Sequence, residues 1–380
     1  MNKHVMIGIA SLFVAGSSGL LSGKSNLPQP RELNPALIEQ ANSGVIWSSK
    51  TNSKTSLRSG LRFHLAESDG ALFVAGENGA VTALDLSSGA IRWSRSVGKL
   101  YAGVGAANGV LLVGTAQGEL VALSAGDGSE LWRKEVLGSA ATAPIATPSL
   151  AIVRTLSGAV EAFDLLTGEE RWAYIVARHE MGPRGGAQPM VFDGKLLLPN
   201  AIGQLGLLDL EDGKIIWGVN LGKMQDGSLM GQLRDIDAAP IQMGDRIYAA
   251  TTTNGVTALT TNGRLLWQAG SGVHAGIAAD HETIYAVELD SRLRALASRN
   301  GEEVWVNNDL IGRWLTEPQL LGTTLVVGDY EGYLHYINST TGALIKSSRV
   351  SSQGFLPDTL LINNTMILMD RAGGIYRIGL

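Results

Sequence analysis

One phrase recurs along this chain: a glycine, an apolar residue two places on, an Ala-Leu-Asp-like triplet, a turn holding a second glycine, and a tryptophan. Strong copies run from glycine to tryptophan over 79–93, 118–132, 158–172 and 203–217. Weaker copies follow at 255–267, 291–305, 332–346 and 373–380, the last ending before any tryptophan. Their central apolar residues are Leu84, Leu123, Phe163, Leu208, Leu259, Leu296, Ile337 and Ile378, at intervals of 39, 40, 45, 51, 37, 41 and 41 residues. A period near ~40 marks an architecture in which each repeat is one supersecondary unit, unable to bury its apolar face without its neighbours.

Within each unit, apolar and polar residues alternate on both sides of a glycine-containing turn, the period-two pattern of a hairpin. Ahead of the hairpin come continuous apolar runs of strand length, such as Ala71-Leu72-Phe73-Val74-Ala75 and Val110-Leu111-Leu112-Val113. Glycine, at 48 of 380 residues, and a charged fraction of only 17% favour many tight turns over long solvated helices. Hydrophobic residues at 45% supply a core and exclude general disorder. The spacing predicts an all-β fold, an eight-bladed β-propeller of four-stranded antiparallel blades over residues 44–380. The eighth copy lacks its last strand, while Val45-Ile46-Trp47 is a strand without a unit. An N-terminal strand is therefore expected to complete the last blade and remove an open sheet edge.

Trp47, Trp93, Trp132, Trp172, Trp217, Trp267 and Trp305 hold one place in the repeat. A row of tryptophans can form a stacking or sugar-binding surface. A fixed place in every unit instead assigns each ring to the gap between neighbouring sheets, a structural interblade role. Trp314 alone stands outside the pattern, as an exposed contact, a stacking platform or a buried aromatic. Asp85, Asp164 and Asp209 precede turns, where a carboxylate bonds local backbone, and are read as structural.

Lys+Arg 30 against Asp+Glu 35 leaves no basic surface to neutralise a phosphate backbone, so nucleic acid is a poor partner. The absence of cysteine removes disulfides, thiolate zinc sites and cysteine nucleophiles, and six scattered histidines form no metal-ligand motif. No cofactor, metal or catalytic residue is expected. The first residues differ from the rest. Lys3 and His4 precede a weakly charged run over 5–21, and 1–23 reads as a secretory signal peptide that sends the protein out of the cytosol. Residues 24–43, with Pro28, Pro30 and Pro35, read as an extended tether.

The intervals of 45 and 51 place extra residues after Trp172 and Trp217, in consecutive units and thus on one rim. The first insertion holds Met181 and Arg184; the second leads to Asp235 and Asp237. The Asp-x-Asp pair admits three readings: partner recognition, ordering of its own loop, or an acid/base dyad or calcium site.

The recurrent Ala-Leu-Asp-x-x-x-Gly-x-x-x-Trp phrase is similar to the repeats of quinoprotein-type eight-bladed propellers. Within that group, Leu233-Arg234-Asp235-Ile236-Asp237-Ala238-Ala239-Pro240 and Val327-Gly328-Asp329-Tyr330-Glu331-Gly332-Tyr333-Leu334-His335-Tyr336-Ile337-Asn338 resemble the BamB family of outer-membrane assembly lipoproteins. The resemblance spans essentially the whole chain. It implies a non-enzymatic subunit of the BAM complex on the periplasmic face of the outer membrane. Such a subunit binds the POTRA domains of BamA, alongside other BAM subunits and nascent outer-membrane proteins, and assists insertion of β-barrels. By motif, the family's partner contacts fall on Arg184, Asp235 and Asp237, with Met181 among the apolar contacts. Met181, Gly182 and Pro183 stand where the family has leucines, and Lys24 where it has the lipidated cysteine. Membrane association would then run through BamA, or through a lipid anchor for which Lys24 offers no sulfur. The alternative implied by the wider group is a dehydrogenase using pyrroloquinoline quinone and calcium.

Overall fold

A computed structural model describes residues 28–39, 44–55, 62–175, 187–200, 203–221, 236 and 238–380. Eight sheets follow one another around a ring, seven of four strands and one of five. Each blade runs antiparallel from its first strand to its last, and blade 1 is Ala66–Ser68, Ala71–Ala75, Ala80–Asp85 and Ile91–Ser96. Blades 2 to 7 span 100–135, 145–175, 190–220, 238–269, 273–307 and 319–349. Burial within a blade peaks at the second strand: Ala71–Ala75 is buried throughout, the first strand Ala66–Ser68 is half-buried, and the last, Ile91–Ser96, buries only Trp93. The first strands of successive blades touch and line the axis, and the last strands form the outer wall.

Blade 8 joins the two ends of the chain. Phe355–Ile362, Thr365–Asp370 and Gly374–Ile378 come from the C-terminal end, and Val45–Lys50 pairs antiparallel with Gly374–Ile378 as the fourth strand. Closure by an N-terminal strand is thus the observed topology, and it removes the long open edge that an unclosed ring would expose.

The turn chemistry follows from the repeat. Asp85 Oδ1 accepts the N–H groups of Ser87 and Ser88, and Asp164 Oδ1 those of Leu166 and Thr167, so each carboxylate builds its own turn. The hydrogen bond from Arg171 and those from the turn hold Asp164 down at about 2. After the aspartate comes a glycine at positive φ: Gly89 at 72°, Gly168 at 68°, Gly213 at 68°.

That glycine has a second reason, which lies in the neighbouring blade. The indole Nε1 of Trp47 donates to Leu86 O, and those of Trp93, Trp132, Trp172, Trp217, Trp267 and Trp305 donate to Ala125, Leu165, Leu210, Thr261, Ser298 and Ser339 O, at 2.8–3.0 Å. Every acceptor lies in the turn of the following blade, and the ring lies flat on that turn's glycine. A Cβ on Gly168 would sit 2.8 Å from Trp132, and one on Gly213 2.5 Å from Trp172. Only a residue with no side chain allows both the backbone conformation and the contact. Blade 7 departs from this: Lys346 stands opposite Tyr336, where other blades place the tryptophan. There Tyr336 reaches the chain seam, and a Cβ on Gly44 would come within 2.2 Å of its hydroxyl.

The tether expectation for 24–43 needs correction over 28–39, which lies against the ring. Arg31 N–H donates to Ile311 O, its guanidinium to Asn308 O, and Leu33 packs on the core between blades 6 and 7. Asn34 caps a short 3-10 turn over Pro35–Leu37, and Ile38–Glu39 then pairs in parallel with Ser347 and Ser348. Proline and polar composition suggest a free linker; half-buried Leu33 and a vacant outer strand edge on blade 7 provide somewhere for it to dock.

Trp132→Ala is expected to destabilise the ring by ~3–5 kcal/mol in chemical denaturation, because it leaves a void between blades. Gly168→Ala should also destabilise, and less so in the Trp132→Ala background, where the clash is gone. Strict additivity in that double-mutant cycle would count against the interblade contact.

Candidate functional site

The two insertions leave the ring from the last strands of blades 3 and 4, Glu170–Ile175 and Ile215–Asn220. Met181, Arg184, Asp235 and Asp237 lie outside the described residues. Their anchoring points are described. Ala187 follows the first insertion, Ile236 sits between the two aspartates, and Ala187 N–H donates to Ile236 O at 3.0 Å. Both residues are buried, Ile236 completely, in the core shared by blades 4 and 5. The insertions therefore return to the ring side by side on the rim that carries the blade-to-blade connections. Ile175, at the root of the first, is 61% exposed.

Two further polar centres sit away from this rim. At the axis, Arg62 reaches across three blades: it donates to His274 O and Ala275 O of blade 6 and pairs with Asp358 of blade 8 at 3.2 Å. His64 lies 3.6 Å from the same carboxylate. Burial lowers the His64 pKa against the pull of Asp358, so this histidine is neutral. Glu317 stands beside them, so close to Gly276 that a Cβ there would fall 2.6 Å from its Cγ. Desolvation in this narrow axial space, reinforced by the Asp358 charge, pushes Glu317 up to about 8.

In blade 7, Asp329, His335 and Ser347 form a relay: Ser347 Oγ lies 2.8 Å from His335 Nδ1, and His335 Nε2 lies 3.0 Å from Asp329 Oδ2. The order matches a nucleophile, base and orienting acid. All three residues are completely buried, which denies a substrate access to the hydroxyl. Arg313 explains the arrangement instead. It bonds Asp329 at 2.7 Å and Glu331, and donates to Arg31 O, so the network fastens the docked segment 28–39 to blade 7. Burial works to raise the Asp329 pKa, but His335 and Arg313 hold it below the ordinary value. Trp314 is half-buried, at φ 52°, with its N–H on Ser291 Oγ and its ring edge-on to His274. Among the described residues no group of three or more histidine and carboxylate side chains is arranged to hold a metal ion.

None of the axial cluster is predicted from sequence, because its members come from blades far apart in the chain. Two members of the relay, Asp329 and His335, lie within one of the two segments that carry the family resemblance, and Ser347 follows on the next strand.

A model of the family described as outer membrane protein assembly factor BamB matches residues 36–100 and 95–307. The chain belongs to the BamB family. It is 27% identical to outer membrane protein assembly factor BamB of Yersinia pestis, over 99% of this chain and 98% of that one. It is 26% identical to BamB of Escherichia coli, over 100% and 99%. Its fold is that of BamB from Moraxella catarrhalis, with a TM-score of 0.80 at 24% identity, covering 88% of this chain and 99% of the other. A quinohemoprotein alcohol dehydrogenase of Pseudomonas putida shares the fold alone, with a TM-score of 0.66 at 13% identity over 89% and 76% of the two chains. The eight-bladed ring is thus a fold that this chain shares with enzymes as well as with BamB.

The axial acid gives a pH prediction. An ordinary glutamate titrates near 4.5, so between there and about 8 the folded ring keeps a proton that the unfolded chain has lost. Stability from this group therefore falls as pH rises through that window and levels off above it. Glu317→Gln should lose less Tm between pH ~5 and ~8 than the unmodified chain. Equal slopes would mean that Glu317 is ionised in the folded ring.

Proposed function

We propose that this BamB-family chain is a non-enzymatic scaffold of the outer-membrane β-barrel assembly machinery, working on the periplasmic face of the outer membrane. Its partner in this reading is the POTRA region of BamA, received on the rim of blades 3 to 5. Residues 1–23 would serve as the export signal. The observation that carries the reading is the junction of the two insertions. The Ala187–Ile236 hydrogen bond anchors both at one place on a closed ring, and the acidic pair flanks the buried Ile236. Asp235 and Asp237 would face basic groups of the partner, and Arg184 a carboxylate or backbone carbonyls, with apolar loop residues forming the desolvated centre. Full-length similarity to proteins named assembly factors supports the scaffold role over a quinone-dependent dehydrogenase.

Calorimetric titration of residues 24–380 with the POTRA region tests this. The unmodified chain should bind saturably, and Asp235→Lys/Asp237→Lys should lose binding while keeping its Tm. Loss of the fold in that variant would make the pair structural. No binding by the unmodified chain, or dye reduction by the purified protein given quinone and calcium, would overturn the reading.

A further inference from the structure

Glycines inside the strands of this ring nearly all have a reason. A Cβ would fall 2.2 Å from His64 O at Gly103, 2.0 Å from Pro144 O at Gly105, 2.3 Å from Ala140 at Gly114, and 2.8 Å from Phe355 at Gly328. Two have none. A Cβ on Gly218 would meet nothing within 4 Å, and one on Gly206 only ordinary contacts at 3.6 and 3.9 Å; neither has positive φ. These two face each other across adjacent strands of blade 4.

The equivalent pair in the other blades always carries side chains. It is Thr82 with Ser94, Val121 with Arg133, Glu161 with Ala173, Thr257 with Gln268, Arg294 with Val306, His335 with Ser347, and Tyr376 with Ser48. Glycine in a strand interior weakens the strand and often marks a place where something approaches the backbone closely. Here the space stays open: a cavity of about 330 Å³ lies between blades 3 and 4, bounded by Arg154, Tyr174, Leu198, Leu208 and Asn220 around the glycine pair. Tyr174 and Asn220 stand at the ends of the two strands that lead into the insertions.

We propose that this cavity is the anchor pocket of the partner interface, taking one large apolar side chain, aromatic or branched, from the partner protein. The assignment rests on the reading above that the rim binds a protein. Leu198 and Leu208 give the pocket an apolar wall, Tyr174, Asn220 and the buried Arg154 polar edges, and its volume leaves room for a large side chain. Pockets that desolvate one large side chain at the centre of an interface carry most of its affinity. The glycine pair keeps the volume free at a cost to the blade.

Filling the pocket tests the assignment. Gly218→Ile places a β-branched side chain where the strand has room. It should keep the Tm and weaken POTRA binding by ~10-fold or more, while Gly218→Ala stays within ~3-fold. Since the chain has no cysteine, Gly218→Cys adds a single thiol whose labelling should be slowed at least ~10-fold by saturating partner. That readout stands even where Gly218→Ile fails to fold. Full binding by Gly218→Ile would overturn the pocket and leave the scaffold reading standing, provided Asp235→Lys/Asp237→Lys still loses binding. A thiol already protected in the free chain and unchanged by partner would show the cavity filled by the chain itself, and overturns it too. Absence of binding by the unmodified chain removes both the reading and the pocket.

Discussion

Everything in this ring depends on a tryptophan of one blade lying flat on a glycine of the next. The contact joins two requirements that are separate in most turns. The glycine supplies a left-handed backbone conformation to its own hairpin, and its missing side chain admits the neighbour's indole, whose N–H then caps a carbonyl of the same turn. Local turn formation and blade stacking are therefore specified by the same residue. Consistency of this kind between levels is what makes a repeat fold to one structure. It also frees the connections: with stacking set at one rim of the blades, the opposite rim can lengthen between blades 3, 4 and 5 without disturbing the ring.

The closing seam shows what happens where the chain cannot supply that contact. Blade 8 has no turn between its third and fourth strands, because they come from opposite ends of the chain. Lys346 replaces the tryptophan, Tyr336 meets Gly44, and Lys346 pairs with Glu39 of the docked segment at 3.0 Å. The segment 28–39 adds a fifth strand to the blade beside the seam, and the buried Arg313 network holds it there. At the axis, Arg62 links the start of blade 1 to blades 6 and 8. These bonds surround the one place where ring closure relies on noncovalent pairing of the chain ends.

The repeat made the ring legible in the sequence, because every blade-forming signal is local: alternation, a turn aspartate, a glycine and a tryptophan within one phrase. Closure was legible by subtraction, from a unit lacking a strand and a strand lacking a unit. The docking of 28–39 was not, since its pairing is set by an outer edge on blade 7 more than 300 residues away, as the separation of Lys346 and Glu39 by 307 positions shows. Long separation hid the axial cluster likewise. The pocket between blades 3 and 4 left a readable trace, two glycines at positions that carry side chains in every other copy. The trace means something only once the register shows that they face each other and the packing shows that no described residue fills the space. The rim residues Met181, Arg184, Asp235 and Asp237 came from motif resemblance, and only the buried frame around them, Ala187 and Ile236, is now described.

The central claim is that one sector of an otherwise self-contained ring receives a protein partner. Hydrogen exchange of the full chain, alone and with the saturating POTRA region of BamA, tests it most directly. The account predicts slowed exchange at 174–190 and 218–238, with blades 1, 7 and 8 unchanged. Protection centred on the seam strand 45–50 or on the segment 28–39, with none on blades 3 to 5, would contradict it.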